Sequence, residues 1–485
     1  MNEISKYLTN FISNLPSQAT EKPSKICLPS HEKINASHPY LQIIQKDIFI
    51  ANKMFSKRNS FVKNTNQEKQ LHKGTKYTQI PPKMRSIIES QPFFNKTFEF
   101  SFSEKESNLP SQATANLSSL SQATEKPYNL HSPKPSNFST LRFDKLIFDS
   151  GDASAKNVNL PSQATEKSSN IKIYLHYFLS PDDPSMEQLD PTKINIYFQK
   201  CMQKIFIWFF LANKYKLSIC SKDLSIYLYL TNTPKLSPSV SSEKIDIDHA
   251  NSGFTYGCLP KNTPNEIYIY REEEWFKVLI HETIHSFGME FSSHPNIEDY
   301  ANKKMIELFH LPAESKENYY GGGGYNIFES YTEMTAEIMN ILIYHFLYGG
   351  NLSRLFEIEQ KFSCFQCAKM ILSEASSNSF KKIKKDSFML DTYQERTNIF
   401  SYFILKSILL FHINSYMDWA MKYNEGSLNF QKTMETIQSY CEMIRENRNS
   451  MNYLKTIGKM EEWLERNKEK DSLENRTLRM TVLEF

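Results

Sequence analysis

The chain has 485 residues, of which 57 are Lys or Arg and 54 are Asp or Glu, so its formal net charge is only +3. This near balance argues against nucleic acid as a partner, since nucleic-acid-binding proteins carry a marked basic excess. The mean hydropathy is -0.51, and the most apolar segment, Ile399–Tyr416, contains Lys406 and His412. We therefore expect a soluble protein of two or three domains with no membrane span.

The N-terminal residues and the cysteines predict a cytoplasmic, intracellular location. The first ten residues, MNEISKYLTN, lack the basic start and apolar run of a secretory signal. Seven cysteines, an odd number, are scattered along the chain, which favours a reducing compartment. Cys364 and Cys367 form a single CxxC pair without the second half of a structural zinc site.

Residues 1–170 differ in composition from the rest of the chain. The polar segment SNLPSQAT occurs at Ser13–Thr20 and at Ser107–Thr114, and NLPSQATEK follows at Asn159–Lys167. Such a repeat has no apolar face to stack, so it predicts a low-complexity, largely disordered region and not a solenoid. A few structured pieces are expected within it, namely helices at Pro39–Phe55 and Lys83–Gln91 and strands at Phe98–Phe102 and Leu141–Phe148.

From residue 171 the apolar patterns become regular. Residues 171–350 read as strand, helix, three strands and a further helix, which predicts an α+β domain. Residues 351–466 show helical spacing throughout and predict a mostly helical C-terminal lobe, followed by a polar tail at 467–485. The strands fall at Lys172–Ser180, Leu224–Thr231, Ile245–Tyr256 and Asn265–Arg271, and the first helix falls at Ile194–Tyr215.

The second helix, Trp275–Gly288, contains the motif HETIH. His281 and His285 are four residues apart, so on a helix they lie on one face and can bind one metal ion. Imidazole nitrogens suit Zn2+, and Glu282 is placed to accept a proton from the attacking water. The alternative is a pair of solvated or packed histidines on an amphipathic helix.

A third ligand is expected on the segment Asn326–Gly349. Glu329, Glu333 and Glu337 are spaced by four and can share one face of a helix. One can ligate the metal while the next holds a ligating histidine through its other nitrogen. Spacing alone leaves open which glutamate is the ligand.

HETIH followed by ESYTE, Glu329–Glu333, resembles the glutamate-liganded zinc peptidases, the gluzincins. That resemblance implies a zincin-like mixed sheet behind the motif helix, with Glu329 as ligand and Glu333 as the residue that holds a ligating histidine. The shifted register, with Glu333 as ligand, remains the alternative. In that fold the last strand before the helix is an edge that binds extended substrate, which implies this role for Ile267–Arg271.

Residues from about Lys172 to Gly349 are also similar to a poorly characterised metallopeptidase family of giant DNA viruses. The shared elements are SIYLYLTNTPKLSP, NSGFTYG, the HETIH helix and ESYTEMTAEIMN. This resemblance implies a host-cell cytoplasm or virion setting and no known substrate.

These patterns predict a zinc metallopeptidase in which Glu282 is the general base. Tyr325 is the candidate donor to the oxyanion, with Tyr319, Tyr320 and His345 as alternatives. Two other functions remain open: a catalytically inactive interaction protein on a zincin scaffold, and a zinc hydrolase of a non-peptide substrate.

Overall fold

The structure, a computed structural model, describes residues 3–15, 33–57, 71–102, 169–178, 191–217, 219–221, 223–238, 244–312, 325–374, 390, 393 and 395–484. These residues belong to one compact unit, Met1–Phe102 together with Ser168–Phe485. The structured pieces of the N-terminal region therefore share a unit with the residues that follow.

A five-stranded mixed sheet runs in the order β1-β2-β3-β5-β4. The neighbours β2 and β3, and β3 and β5, are parallel, whereas the outer strands β1 and β4 pair antiparallel with β2 and β5. The strands are β1 (Phe93–Phe102), β2 (Ser169–Phe178), β3 (Asp223–Leu230), β4 (Gly253–Thr255) and β5 (Asn265–Ile269). Mixed α/β architecture is thus confirmed, while the finer zincin-like assignment stays a prediction.

The two faces of the sheet are buried by different side chains. Ile226 and Ile267 belong to the main apolar core, whereas Tyr227 and Tyr268 stack at 4.9 Å on the opposite face in a second, tyrosine-rich cluster. The alternation of aliphatic and aromatic residues follows from the two-residue period of a strand. A sheet covered on both faces results.

The prediction of an edge strand at Ile267–Arg271 is wrong. Strand β5 pairs with β3 on one side and with β4 on the other, and all five of its residues are buried. The edge is β4, a strand of three residues that the sequence analysis placed only loosely within Ile245–Tyr256. So short a strand has no pattern by which its pairing can be recognised.

The N-terminal and central parts of the chain are helical between the strands. The helix expected at Pro39–Phe55 is present, and so is the one expected at Lys83–Gln91. Phe98–Phe102 lies within β1, whereas Leu141–Phe148 lies outside the described residues. The helices are α1 (Glu3–Asn14), α2 (Pro39–Lys57), α3 (Pro82–Ser90), α4 (Pro191–Tyr215), α5 (Ile247–Ala250), α6 (Trp275–Ser286), α7 (Pro295–Phe309) and α8 (Phe328–Tyr348), with a 3-10 turn at Tyr77–Gln79.

The C-terminal part is helical, as predicted. A π-helical turn at Phe400–Leu405 runs directly into the next helix. The helices are α9 (Leu352–Glu374), α10 (Lys406–Phe411), α11 (Ile413–Tyr423), α12 (Met434–Asn447), α13 (Met451–Asn467) and α14 (Leu473–Arg476). Within the described ranges, no helix has both the length and the apolar character needed to cross a bilayer.

The composition predicted a loose polar tail for the last residues. The structure shows instead that they are buried. Leu478, Val482 and Leu483 are buried in the main core, and the guanidinium of Arg479 is fully buried beside Glu484. Arg479 and Glu484 are paired with each other, so their presence in the sequence does not indicate exposure.

Cys220 and Cys258 form a disulfide that was not expected from the cysteine spacing. It joins the segment before β3 to the segment after β4. The cytoplasmic location remains a prediction. Cys364 and Cys367, on α9, are buried free thiols.

Candidate metal centre

Helix α6 carries the HETIH motif and ends in a well-formed cap. Gly288 has φ of +61°, its amide donates to the carbonyl of His285 at 3.0 Å, and the amide of Met289 donates to the carbonyl of Ile284 at 2.9 Å. This pattern is a Schellman motif, which favours glycine at the left-handed position. The glycine at the end of the predicted helix therefore fixes where the chain leaves α6.

The start of α6 is held by the C-terminal segment of the chain. Glu274 precedes the helix with φ of 59°, and its carboxylate accepts hydrogen bonds from the amides of Met480 and Thr481, each at 2.6 Å. The same carboxylate pairs with the ammonium of Lys235 at 2.8 Å. Glu274 thus links the motif helix to the segment that follows α14.

His281, His285 and Glu329 come together between α6 and α8. The two Nε2 atoms are 3.1 Å apart, and Oε2 of Glu329 lies 3.1 Å from Nε2 of His281 and 3.2 Å from Nε2 of His285. These donor atoms can hold a metal ion. Glu329 occupies the first turn of α8, where the helix passes the motif.

Glu333 lies one turn further along α8, on the far side of His281. Its Oε1 is 3.0 Å from Nδ1 of His281, and its Oε2 accepts from the ammonium of Lys277 at 2.6 Å. Glu333 therefore faces the nitrogen that is not turned toward His285. This geometry favours Glu329 as ligand and Glu333 as the residue that orients His281.

Glu290 has the corresponding place beside His285. Its Oε1 lies 3.6 Å from Nδ1 of His285, and the same oxygen accepts from the hydroxyl of Ser292 at 2.7 Å. Both imidazoles thus have a carboxylate on the Nδ1 side and point Nε2 at the centre of the cluster.

The remaining oxygen of Glu329 contacts the C-terminal helices. Asn398 donates to Oε1 of Glu329 at 3.1 Å and also to the hydroxyl oxygen of Tyr402 at 3.2 Å. The Tyr402 ring packs edge-on against His281 with centroids 5.8 Å apart. Tyr402 belongs to the π-helical turn, a backbone feature that is frequent at functional sites.

Burial and charge act in opposite directions on the ionisable groups of the cluster. Burial would lower the pKa of His281, but the carboxylates of Glu329 and Glu333 raise it to about 8. Burial would likewise lower the pKa of His285, and Glu329 and Glu290 hold it well above its ordinary value. For Glu329, burial alone would raise the pKa, yet the two imidazoles lower it to about 2.

Glu282 faces a narrow cavity beside the three metal-binding candidates. Burial raises the pKa of its carboxyl, although the charges of His281 and His285 oppose the rise. The cavity extends from Glu282 toward the start of β4. Its lining residues are Lys235, Ala250, Asn251, Ser252, Gly253, Lys277, Val278, His281, Glu282, Glu333, Tyr402 and Met480.

Tyr325 is not among the residues that line this cavity, so the geometry does not favour the catalytic role predicted for it. Its hydroxyl donates to the carbonyl of Pro312 at 3.0 Å, and its ring packs against Tyr393 and Phe400. Tyr325 is buried and belongs to the main apolar core near the start of α8. Aromatic residues in a loop are often such packing residues.

The other candidates for an oxyanion donor are His345, Tyr319 and Tyr320. His345 follows Glu333 on α8 by more than three turns, roughly 18 Å along the axis. Tyr319 and Tyr320 lie outside the described residues.

Four residues of the site were missed by the sequence analysis: Lys277, Glu290, Asn398 and Tyr402. Lys277 had a signal, because it precedes His281 by four residues and interrupts an apolar helix face. Asn398 and Tyr402 lie far along the chain, and only the tertiary fold brings them to Glu329.

Comparison with known proteins finds no relative. No protein-family model matches the chain, no curated protein matches it, and no solved structure matches its fold. The resemblance to glutamate-liganded zinc peptidases therefore stays a prediction from the motifs, and the functional argument depends on the site itself.

Proposed function

We propose that the protein is a zinc-dependent peptide hydrolase with His281, His285 and Glu329 as metal ligands. The observation that carries this proposal is the convergence of two imidazole nitrogens and one carboxylate oxygen at 3.1, 3.1 and 3.2 Å from one another. A tetrahedral zinc ion with bonds of about 2.0–2.1 Å separates its ligand atoms by about 3.3 Å, and catalytic zinc keeps three protein ligands. The donor types and their spacing fit such an ion.

A bound zinc ion would supply Lewis-acid activation of water and of the scissile carbonyl. Glu282 would accept a proton from the attacking water and deliver it to the leaving nitrogen. Its raised pKa supports this role, because a carboxylate that holds a proton more readily is a better acceptor.

Tyr402 takes the place that Tyr325 was expected to hold. It lines the cavity together with His281 and Glu282. Burial and the nearby charge of Glu329 raise its pKa well above the ordinary value, so the hydroxyl stays protonated. Asn398 donates to the hydroxyl oxygen, which leaves the proton of Tyr402 available for an oxyanion.

The edge strand β4 supports a peptide substrate. The amide of Tyr270 donates to the carbonyl of Ser252, and Phe254 lies opposite Tyr268 in the same antiparallel pair. In such a pair, alternate residues turn their N–H and C=O groups outward. Gly253 and Thr255 therefore present main-chain groups at the end of the sheet, where an extended peptide can add as a further strand.

Zinc content and peptide hydrolysis of purified protein test the proposal. We expect one zinc per chain in the wild type and its loss in His281→Ala and Glu329→Ala. Glu282→Gln should keep the zinc and lose turnover, and Tyr402→Phe should keep the zinc and lower kcat by about 100- to 1,000-fold.

Full turnover by Glu282→Gln would overturn the mechanism. Zinc retained in Glu329→Ala but lost in Glu333→Ala would show that Glu333, and not Glu329, is the third ligand. Wild type that binds zinc but cleaves no peptide would favour the alternative of an inactive interaction protein.

A further inference from the structure

The cavity beside Glu282 contains a polar group that the protein itself does not use. Ser252 is 3% exposed, and among the described residues its hydroxyl has no hydrogen-bond partner. A buried hydroxyl without a partner destabilises the folded protein relative to a bonded one. Its place in the lining of the cavity suggests that a ligand supplies the missing bond.

The position of Ser252 relates this hydroxyl to the proposed peptide path. Ser252 immediately precedes β4, and its carbonyl accepts from the amide of Tyr270 at 2.9 Å, so its backbone is fixed by the sheet. Glu282 and Tyr402 line the same cavity. A peptide added along β4 would therefore direct a side chain next to its cleaved bond toward Ser252.

The charges in the cavity favour a neutral side chain. Lys235 and Lys277 also line it, but their ammonium groups are paired with Glu274 at 2.8 Å and Glu333 at 2.6 Å. Each ammonium has three N–H groups, so donors remain for an oxygen atom although the charges are balanced. A carboxylate would find no unpaired cation here.

The size of the cavity favours a short side chain. Gly253 has no room for even a Cβ atom, which would lie 2.8 Å from the carbonyl oxygen of Tyr268 and 2.9 Å from Cγ1 of Val278. Ala250, Val278 and Met480 form the apolar part of the wall. The space between β4 and α6 is thus narrow at Gly253.

We propose that this cavity is a specificity pocket for a short, neutral, oxygen-bearing side chain (Ser, Thr or Asn) next to the cleaved bond, with Ser252 as the residue that recognises it. This inference rests on the proposed peptide hydrolysis and names the substrate class of that site. The hydroxyl of Ser252 is the donor to the ligand oxygen, and the paired ammonium groups of Lys235 and Lys277 keep the surroundings polar without a net charge.

Binding to the metal-free protein tests the pocket without turnover. Two peptides that differ only by Thr or Val at the residue beside the intended cleavage position have nearly equal size. We expect the Thr peptide to bind about tenfold more tightly to wild type, as one neutral hydrogen bond allows. In Ser252→Ala the two peptides should bind within about twofold of each other.

The control is Ser221→Ala, which removes the hydroxyl of another serine that is 3% exposed. Ser221 donates to the carbonyl of Asp223 at 3.0 Å and is not among the residues that line the cavity, so the preference for Thr over Val should persist. Because the result is a ratio for each variant, partial unfolding lowers both affinities and leaves the ratio intact. Loss of the preference in Ser221→Ala as well would overturn the assignment to Ser252.

Cleavage by the zinc-loaded protein separates this inference from the proposed function. A peptide library randomised beside the cleaved bond should give products enriched in Ser, Thr and Asn, and Ser252→Ala should remove that enrichment. Cleavage with a preference for Val, Leu or Asp would overturn the pocket and leave the hydrolase standing. No cleavage of any peptide would overturn both.

Discussion

At the scale of single residues, the orientation of the two histidines depends on carboxylates that do not touch the proposed ion. Glu333 lies against Nδ1 of His281 at 3.0 Å, and Glu290 lies against Nδ1 of His285 at 3.6 Å. A ligating imidazole whose other nitrogen faces a carboxylate is fixed in ring position and is more basic. Metal affinity should therefore be sensitive to residues that contribute no ligand atom.

Glu333→Gln should lower zinc affinity by about 10- to 100-fold while the ligands stay in place. Competition with a chromophoric chelator measures this. The control is Glu337→Gln, one turn further along α8, where the carboxylate pairs with Lys406 at 2.6 Å. Equal losses in both variants would show that a general weakening of α8, and not the contact with His281, is responsible.

The raised pKa values of the histidines predict that zinc affinity rises with pH. His281 has a pKa of about 8 in the metal-free protein, and a ligand must lose its proton before it binds. Affinity should fall about tenfold per pH unit below 8 for each displaced proton. Chelator competition from pH 6 to 9 measures the slope, and a flat profile would contradict protonation of the cluster.

The stability of the metal-free protein should fall as the pH rises, whereas its zinc affinity should rise. A histidine whose pKa is raised in the folded state stabilises the fold at pH values below its unfolded pKa of 6.5. This contribution is lost as the pH rises through about 8. Urea denaturation of metal-free protein over the same pH range checks the sign.

At the scale of elements, helix α6 is defined by its two ends as much as by its motif. Gly288 ends the helix at φ of +61°, and a Cβ atom there would lie 2.9 Å from Sγ of Cys220 and 3.1 Å from Cβ of Cys258. The same residue therefore combines a left-handed backbone with close packing against the disulfide. Both features exclude a side chain.

Gly288→Ala should lower the free energy of unfolding by about 1–3 kcal/mol, because it adds backbone strain and a steric contact. Gly458→Ala is the matched control: Gly458 lies within α13 with nothing within 4 Å of its Cβ position, so alanine should stabilise by about 0.5–1 kcal/mol. Urea denaturation of both variants gives the comparison. Equal stability of Gly288→Ala and wild type would contradict the cap described here.

Most of the long helices and the strands β2, β3 and β5 could be predicted from sequence because each is a local pattern, whereas α1 (Glu3–Asn14) was not predicted. HETIH and the Glu329–Glu333 spacing place their side chains by helical period alone. Two kinds of feature were not accessible in this way. The short strand β4 changed the sheet order and so the edge, and the contacts of Asn398 and Tyr402 with Glu329 join distant segments of the chain.

At the scale of the whole molecule, the segment after α14 joins the two ends of the chain to the motif helix. Glu274 accepts from the amides of Met480 and Thr481, and Arg479 contacts the hydroxyl of Ser5 at 3.2 Å. Met480 also lines the cavity beside Glu282. The geometry of the site thus depends on residues near both termini.

Glu274→Gln should destabilise the protein by about 3–5 kcal/mol at pH 7, because it leaves the buried ammonium of Lys235 without its partner. Glu462→Gln, in a surface pair with Arg466, is the control and should cost less than about 1 kcal/mol. Urea denaturation measures both, and a small loss in Glu274→Gln would contradict the role of this contact.

The effect of Glu274→Gln should also shrink in acid. Burial would raise the pKa of Glu274, but Lys235, Lys277 and Arg479 lower it to about 2 from an ordinary value of 4.5. A carboxylate whose pKa is lowered by folding stabilises the protein at pH values above its ordinary pKa. This contribution disappears as the pH falls from 4.5 toward 2. Wild type and variant should therefore converge over that range.

The disulfide between Cys220 and Cys258 closes a ring of main chain that contains β3 and β4 and whose ends are 38 positions apart in sequence. In the chain-entropy description, a ring of that size stabilises the folded state by about 4 kcal/mol. It also changes the consequence of cleaving a peptide bond within the ring. One cut inside the ring leaves both fragments joined through sulfur, so under denaturing conditions a nicked molecule stays one species until a thiol is added and only then separates into two.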